Sequence, residues 1–356
     1  MFMSEAKKLV LVVGAGASHE VGLPLGGELK KKIAASLDLQ YDFGQLKRGS
    51  GSPLINGAYQ HIVQKANNGL MGDISPYVYA GWAVRDGMHQ AMSIDNYLDA
   101  HKDNQLMIDC AKLAIAQIIL ESERNSRLFL NPIEQRNKLN FQELESTWYG
   151  HFFKVLVEGC QVDKMAERLS SVAIVTFNYD RCIEQFLHEA LMNYYHIDSQ
   201  SVSELMAGLK VFHPYGYLGE LRWPATFPSV SFGEDIHPHQ LIAVASKIKT
   251  FTEGTDEGAS EIVGIRECID SAEKIAFLGF AYGRQNLDLL YNAKGLERVS
   301  LARVYGTAYN ISAINTKLIC DDLLRLGRYY KDNLYIDNGL TSTKLLEDYS
   351  RALTLL

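Results

Sequence analysis

Lys8-Leu9-Val10-Leu11-Val12-Val13-Gly14-Ala15-Gly16-Ala17-Ser18 is an unbroken leucine and valine run that stops in a string of small residues. Continuous apolar runs of this kind belong to strands covered on both faces of a parallel sheet. Glycines at 14 and 16 let the backbone approach an anion closely, and a following helix start offers unpaired N–H groups and a positive dipole end. The stretch therefore predicts a first strand over 8–13 whose C-terminal end meets a phosphate. It is not a standard nucleotide fingerprint. Gly14-x-Gly16-x-x-His19 lacks the third glycine, no Lys-Ser/Thr pair follows, and no acidic residue ends a second strand about 20 residues on. These absences argue against an ordinary nicotinamide dehydrogenase.

Working outward, Leu23-Pro24 forces an extended segment before a helix over 26–37 with a basic face. Residues 44–57 are rich in Gly, Ser, Asn and Pro and read as a loop. From 58 to 165 the pattern is helical, clearest over Ala111–Glu123 and Phe141–Val157, with no convincing strand. Alternation then resumes. Strands are expected at 172–176, 209–212, 274–279 and 302–307, and helices at 182–194, 262–271, 287–291 and 312–325; residues 219–239 read as irregular. Strands alternating with helices define an α/β fold, a Rossmann-like doubly wound parallel sheet with a helical insertion. The expected division is 1–45 with 166–356 as the Rossmann-like domain and 46–165 as the insertion.

The chain has 356 residues, 47% of them hydrophobic, and a formal net charge of -7. That is ample material for a large core. The acidic balance argues against unassisted, nonspecific nucleic-acid binding, and no direct sequence-specific nucleic-acid partner is expected. The five cysteines, at 110, 160, 182, 268 and 320, include no pair at zinc-ribbon spacing, and such scattered thiols suit a cytoplasmic protein. The apolar run near the N-terminus is too short for a signal peptide, and no stretch approaches the roughly 20 residues of a membrane span. The adjacent Trp148, Tyr149, Phe152 and Phe153 offer more apolar area than one helix face needs, which raises the expectation of a homo-oligomer.

Ligands in doubly wound sheets bind outside the strand C-termini. Four predicted strands end there in polar or glycine motifs: Gly14–Ser18, Thr176-Phe177-Asn178-Tyr179-Asp180, His213-Pro214-Tyr215-Gly216 and Gly279-Phe280. The Asn178 carboxamide can hold a ribose or a water through both donor and acceptor. The Asp180 carboxylate can orient a ligand or stabilise an oxocarbenium ion. The same two residues equally suit a plain cap on the following helix, and His213 equally suits a structural histidine.

Gly14-Ala15-Gly16-Ala17-Ser18 with Gly22-Leu23-Pro24 resembles the sirtuin pattern Gly-Ala-Gly-x-Ser followed by Gly-Ile-Pro. Thr176-Phe177-Asn178-Tyr179-Asp180 resembles the sirtuin Thr-Gln-Asn-x-Asp, and His213-Pro214-Tyr215-Gly216 falls where sirtuins carry His-Gly. Ser93-Ile94-Asp95-Asn96, Ala276–Phe280 with Asn286, and Val304–Tyr309 resemble segments of the bacterial sirtuin-like branch. The chain departs from deacetylating sirtuins. Leu25-Gly26-Gly27 replaces Asp-Phe-Arg, the four-cysteine zinc module is absent, and Tyr215 stands directly before Gly216 where the family histidine is usual.

These features resemble the anti-phage defence branch, whose members hydrolyse NAD to nicotinamide and ADP-ribose. The resemblance implies an NAD glycohydrolase that acts by NAD depletion, with NAD as substrate and no metal. A HerA-type ATPase or another defence-system component would be its partner. It implies NAD binding by Gly14, Ala15, Gly16, Ala17, Ser18, Thr176, Asn178, Gly279, Phe280 and Thr307, and catalysis by Asn178, His213 and Asp180, with Asp95 helping to orient the site. In that picture Gly16→Val blocks NAD and spares the fold. The alternatives are a sirtuin-like module that binds NAD or ADP-ribose without turnover, and an NAD-dependent protein deacylase.

Overall fold

The computed structural model describes residues 7–131, 133, 138–221, 229–250, 253, 260–291 and 299–356. Its centre is β1 (Leu9–Val13), a five-residue strand with every side chain buried. Valine and leucine suit this position because both faces of the strand are covered, leaving no polar side. β1 pairs in parallel with β4 (Val172–Thr176) on one side and β6 (Lys274–Leu278) on the other. Outside these lie β5 (Lys210–Phe212), then β7 (Arg303–Thr307) and β8 (Leu334–Asp337), giving the order β5-β4-β1-β6-β7-β8. The remaining strands, β2 (Tyr41–Asp42) and β3 (Gln45–Leu46), form a separate antiparallel hairpin. In chain order the six parallel strands run third, second, first, fourth, fifth, sixth. This is the Rossmann order, with its topological switch point between β1 and β6.

Side-chain alternation divides the core in two. Val10, Val12, Val175 and Phe277 face a layer containing α2 (Gly26–Ser36), α3 (Pro53–Ala66), α4 (Ser75–Gly87), α5 (Ile94–Ala100) and α6 (Gln105–Arg124). Leu9, Leu11, Val13 and Ile174 face Trp148, Tyr149, Phe152 and the helices Cys182–Tyr195 and Ser342–Asp348. Trp148, Tyr149 and Phe152 are buried in this second layer, and the Trp148 indole N–H donates to the Ala17 carbonyl at 3.1 Å. The apolar area of these three is thus used within the chain, whereas Phe153 is half-buried, packed edge-on to Phe186 and Tyr194.

Several elements differ from the sequence reading. Residues 44–57 are not a continuous loop: after the hairpin, α3 begins at Pro53. Ser52 caps it by accepting the Ile55 N–H at 3.2 Å, and proline at the first helical position is already set for helical φ. The helix expected over 141–157 is two, Phe141–Leu144 and Trp148–Val157, because Thr147 adopts an extended conformation (φ -105°, ψ 162°). Part of the irregular 219–239 stretch, residues 222–228, lies outside the described residues. No helix among the described residues is long and apolar enough to cross a membrane.

The loops after β1 and β6 meet backbone to backbone at the switch point. The Gly14 N–H donates to the Leu278 carbonyl at 3.0 Å and the Gly16 N–H to the Gly279 carbonyl at 3.1 Å. Gly279 adopts φ +57°, and a Cβ there would sit 2.1 Å from the Ala17 nitrogen. A Cβ on Gly16 would lie 2.9 Å from the Gly279 Cα. The glycines are therefore required by the approach of one loop to the other. This corrects the expectation that Gly16→Val spares the fold. Gly16→Val and Gly279→Ala should each destabilise the protein by about 2 kcal/mol or more in urea denaturation; a Gly16→Val chain of wild-type stability would contradict the contact.

Candidate functional site

The motifs ending β1, β4, β5 and β6 share one edge because those strands are neighbours in parallel. Between α1 (Ala15–His19), the start of α2, the start of α5 and residues 177–180 lies a cavity of about 100 Å³. Ser18, Ser93, Asp95, Asn178, Tyr179 and Asp180 supply its polar lining, and Leu23, Ile94, Ile119 and Phe177 are among its apolar walls.

The Asn178 side-chain amide donates to the Ser18 hydroxyl at 2.9 Å, and Ser18 and Asp180 line the same cavity. Asp180 in turn accepts the Cys182 N–H at 3.1 Å, which caps the start of the helix Cys182–Tyr195. The cap and the cavity wall are thus one residue. Across the cavity, the Tyr179 hydroxyl donates to Asp95. Burial raises the pKa of both carboxyls, Asp95 and Asp180. In the Asp95 case the Tyr179 bond opposes the rise, and in the Asp180 case the Cys182 bond does so. A positive charge placed near either carboxyl would favour its ionised form.

The other sequence candidates hold this frame together. Thr176 accepts the Asn178 N–H on its hydroxyl at 3.2 Å. Thr307 accepts the Gly279 N–H at 2.9 Å, fixing the left-handed turn after β6. Phe280 is buried against Phe177, Phe277 and Tyr282, with centroids 5.1–5.5 Å apart. The N–H groups of Gly14 and Gly16 already serve the Leu278 and Gly279 carbonyls and are not available to a phosphate in this conformation. Ala15 lines the cavity, whereas Ala17 is buried beneath it.

His213 does not line the cavity; its ring nitrogens are engaged by Glu184 and the Asn178 carbonyl. Tyr215 packs edge-on to Phe177 and donates to the Asn286 side-chain oxygen at 2.5 Å. Burial, with Asp95 and Asp99 nearby, raises the Tyr215 hydroxyl far above its usual pKa, so neither residue is a ready base.

The sequence reading missed the anchor of the 177–181 loop. Arg181 and Glu123 are fully buried and paired through Nε at 3.0 Å and Nη2 at 2.6 Å. Arg181 also reaches the Val230 and Ser231 carbonyls, while Glu123 accepts the Gly233 N–H at 3.0 Å. The signals were present: a glutamate ending an apolar helix, and an arginine directly after Asp180. Removing one partner leaves the other charge buried. Glu123→Ala should therefore cost about 3–5 kcal/mol in chemical denaturation, and a loss below about 1 kcal/mol would show the pair to be dispensable.

No model of a known protein family matches the chain, and no curated protein matches it in sequence. Among solved structures, one titled "Crystal structure of a SIR2 homolog-NAD complex" is similar at 13% identity, over 99% of this chain and 93% of that chain, with a TM-score of 0.37. Among the described residues, no group of histidine, cysteine, aspartate and glutamate side chains is arranged to hold a metal ion.

Proposed function

We propose that the chain is a sirtuin-like NAD glycohydrolase, cleaving NAD to nicotinamide and ADP-ribose as an effector of anti-phage defence. The observation that carries this reading is the convergence of Ser18, Asp95, Asn178 and Asp180 on one cavity at the C-terminal edge of a Rossmann-ordered sheet. Cleavage of the nicotinamide–ribose bond is dissociative. Its demands are a held leaving group, stabilised positive charge on the ribose and a placed water, rather than a strong base. Asn178 offers both a donor and an acceptor for ribose or water. Asp180 and Asp95 offer negative charge to a pyridinium and to an oxocarbenium ion. Ser18, bonded to Asn178, helps hold the carboxamide toward the cavity.

The cavity is smaller than the dinucleotide. Ligand pockets usually occupy about 300–1,000 Å³, and an apolar cavity that takes up benzene measures about 150 Å³. Binding the whole dinucleotide therefore extends beyond the cavity or widens it, and in our reading the wall formed by α5 gives way. That wall is fastened by the Asp95–Tyr179 bond and by a Gln285 amide donating to Asp99 at 3.1 Å. A resting site too small for the dinucleotide suits an enzyme that depletes NAD only when triggered, by a partner such as a HerA-type ATPase or by self-assembly.

Asn178→Ala should slow nicotinamide release by about 10²–10³-fold, as loss of a positioned catalytic hydrogen bond does, whereas Tyr215→Phe should leave it nearly unchanged. Wild-type protein that binds NAD but releases no nicotinamide, even with its activating partner, would leave a binding module. Release that requires an acylated peptide would make it a deacylase.

A further inference from the structure

Behind the cavity, the loop carrying Asn178 is gripped from the β5 side. His213 follows β5 and is buried. Its Nε2 lies 2.8 Å from Glu184 Oε1, and its Nδ1 lies 3.3 Å from the Asn178 main-chain oxygen. Both partners are acceptors. A neutral imidazole carries one N–H and would turn a lone pair toward one of these oxygens; only the doubly protonated ring satisfies both. The ring is also stacked on Tyr217, with centroids 4.2 Å apart. Glu184 stands in the first turn of the helix Cys182–Tyr195, and its Oε2 is buried with no hydrogen-bond partner among the described residues. A carboxylate half-satisfied in this way is an expensive feature unless its charge has a use.

We infer that Glu184 and His213 are positioning residues: Glu184 keeps His213 an imidazolium, which clamps the Asn178 carbonyl and so fixes the Asn178 carboxamide in the cavity. The inference rests on the reading of that cavity as the NAD site. It assigns Glu184 a role and moves His213 from base to support. Asn178 is then held at three points: its N–H by Thr176, its carbonyl by His213 and its side chain by Ser18.

The charged groups around the ring support this assignment. Burial opposes the charge on His213, but Glu184, the Asn178 carbonyl and Asp180 outweigh it and raise the pKa above the ordinary 6.5. From the helix Ser260–Asp270, Glu261 accepts the His213 main-chain N–H at 3.2 Å and is itself held by Lys249 at 2.6 Å. A histidine whose folded pKa is raised contributes stability fully below its unfolded value, and this is lost as pH rises through the folded value. The clamp is therefore intact in mildly acidic solution and released on the alkaline side.

Histidine-selective NMR of the full chain, with the His213 signals assigned by His213→Gln, tests this directly. Both ring nitrogens should be protonated at the acidic end, with a midpoint above that of free histidine. Glu184→Gln should lower the midpoint by about one pH unit or more. The alkaline limb of kcat for nicotinamide release should shift equally, with KM little changed. If Glu184→Gln does not fold, Glu184→Asp and the wild-type midpoint decide the matter. A singly protonated His213 throughout, or a midpoint indifferent to Glu184, overturns the clamp. A charged His213 with an alkaline limb that ignores Glu184→Gln overturns its positioning role. An NMR result as expected in a chain that releases no nicotinamide removes the NAD reading and leaves the clamp.

Discussion

The contact between the loops that leave β1 and β6 sets the geometry of everything above the sheet. Gly14 and Gly16 donate main-chain hydrogen bonds to Leu278 and Gly279, and no side chain fits between the loops. This closes the crevice at the switch point, where a doubly wound sheet ordinarily admits a ligand. The opening that remains is displaced toward β4, over residues 177–180 and beneath α5. Phe177 and Phe280, packed at 5.1 Å, fill the space between. The glycines that look in the sequence like a phosphate cradle are thus also the hinge-less seam of the fold.

Around that seam the polar residues form two shells with different work. Ser18, Asp95, Asn178 and Asp180 face the cavity. Arg181 with Glu123 on one side, and His213 with Glu184 on the other, hold the loop that presents two of them. Buried ion pairs contribute little net stability over well-packed apolar groups but fix geometry where it matters. Their placement on both flanks of a five-residue loop is consistent with a site whose chemistry depends on orientation more than on a strong base.

Much of the fold was legible because the signals were local and strong. The strand Val172–Thr176 is the expected segment to the residue, and the strands at 210, 274 and 303 agree within a residue at their starts. β8 went unseen because it is a four-residue edge strand whose side chains alternate between half-buried and exposed, so its apolar signal is weak. Ser52-Pro53 was read as loop composition although it is also a helix-start signal. In the site, the motif reading brought Ser18, Asn178 and Asp180 to one place. It could not show that the Gly14 and Gly16 N–H groups are engaged by β6, nor that His213 faces Glu184 rather than the cavity. Those are contacts between segments far apart in the chain, and no spacing rule encodes them.

The central claim is that the cavity bounded by Ser18, Asp95, Asn178 and Asp180 receives the nicotinamide end of NAD when α5 moves aside. A crystal structure with a non-hydrolysable NAD analogue tests it most directly. The account predicts the pyridine ring and its ribose within hydrogen-bond reach of Asn178 and Asp95, with the Asp95–Tyr179 and Asp99–Gln285 bonds broken. An analogue bound elsewhere on the chain, with these bonds and the small cavity unchanged, would contradict it.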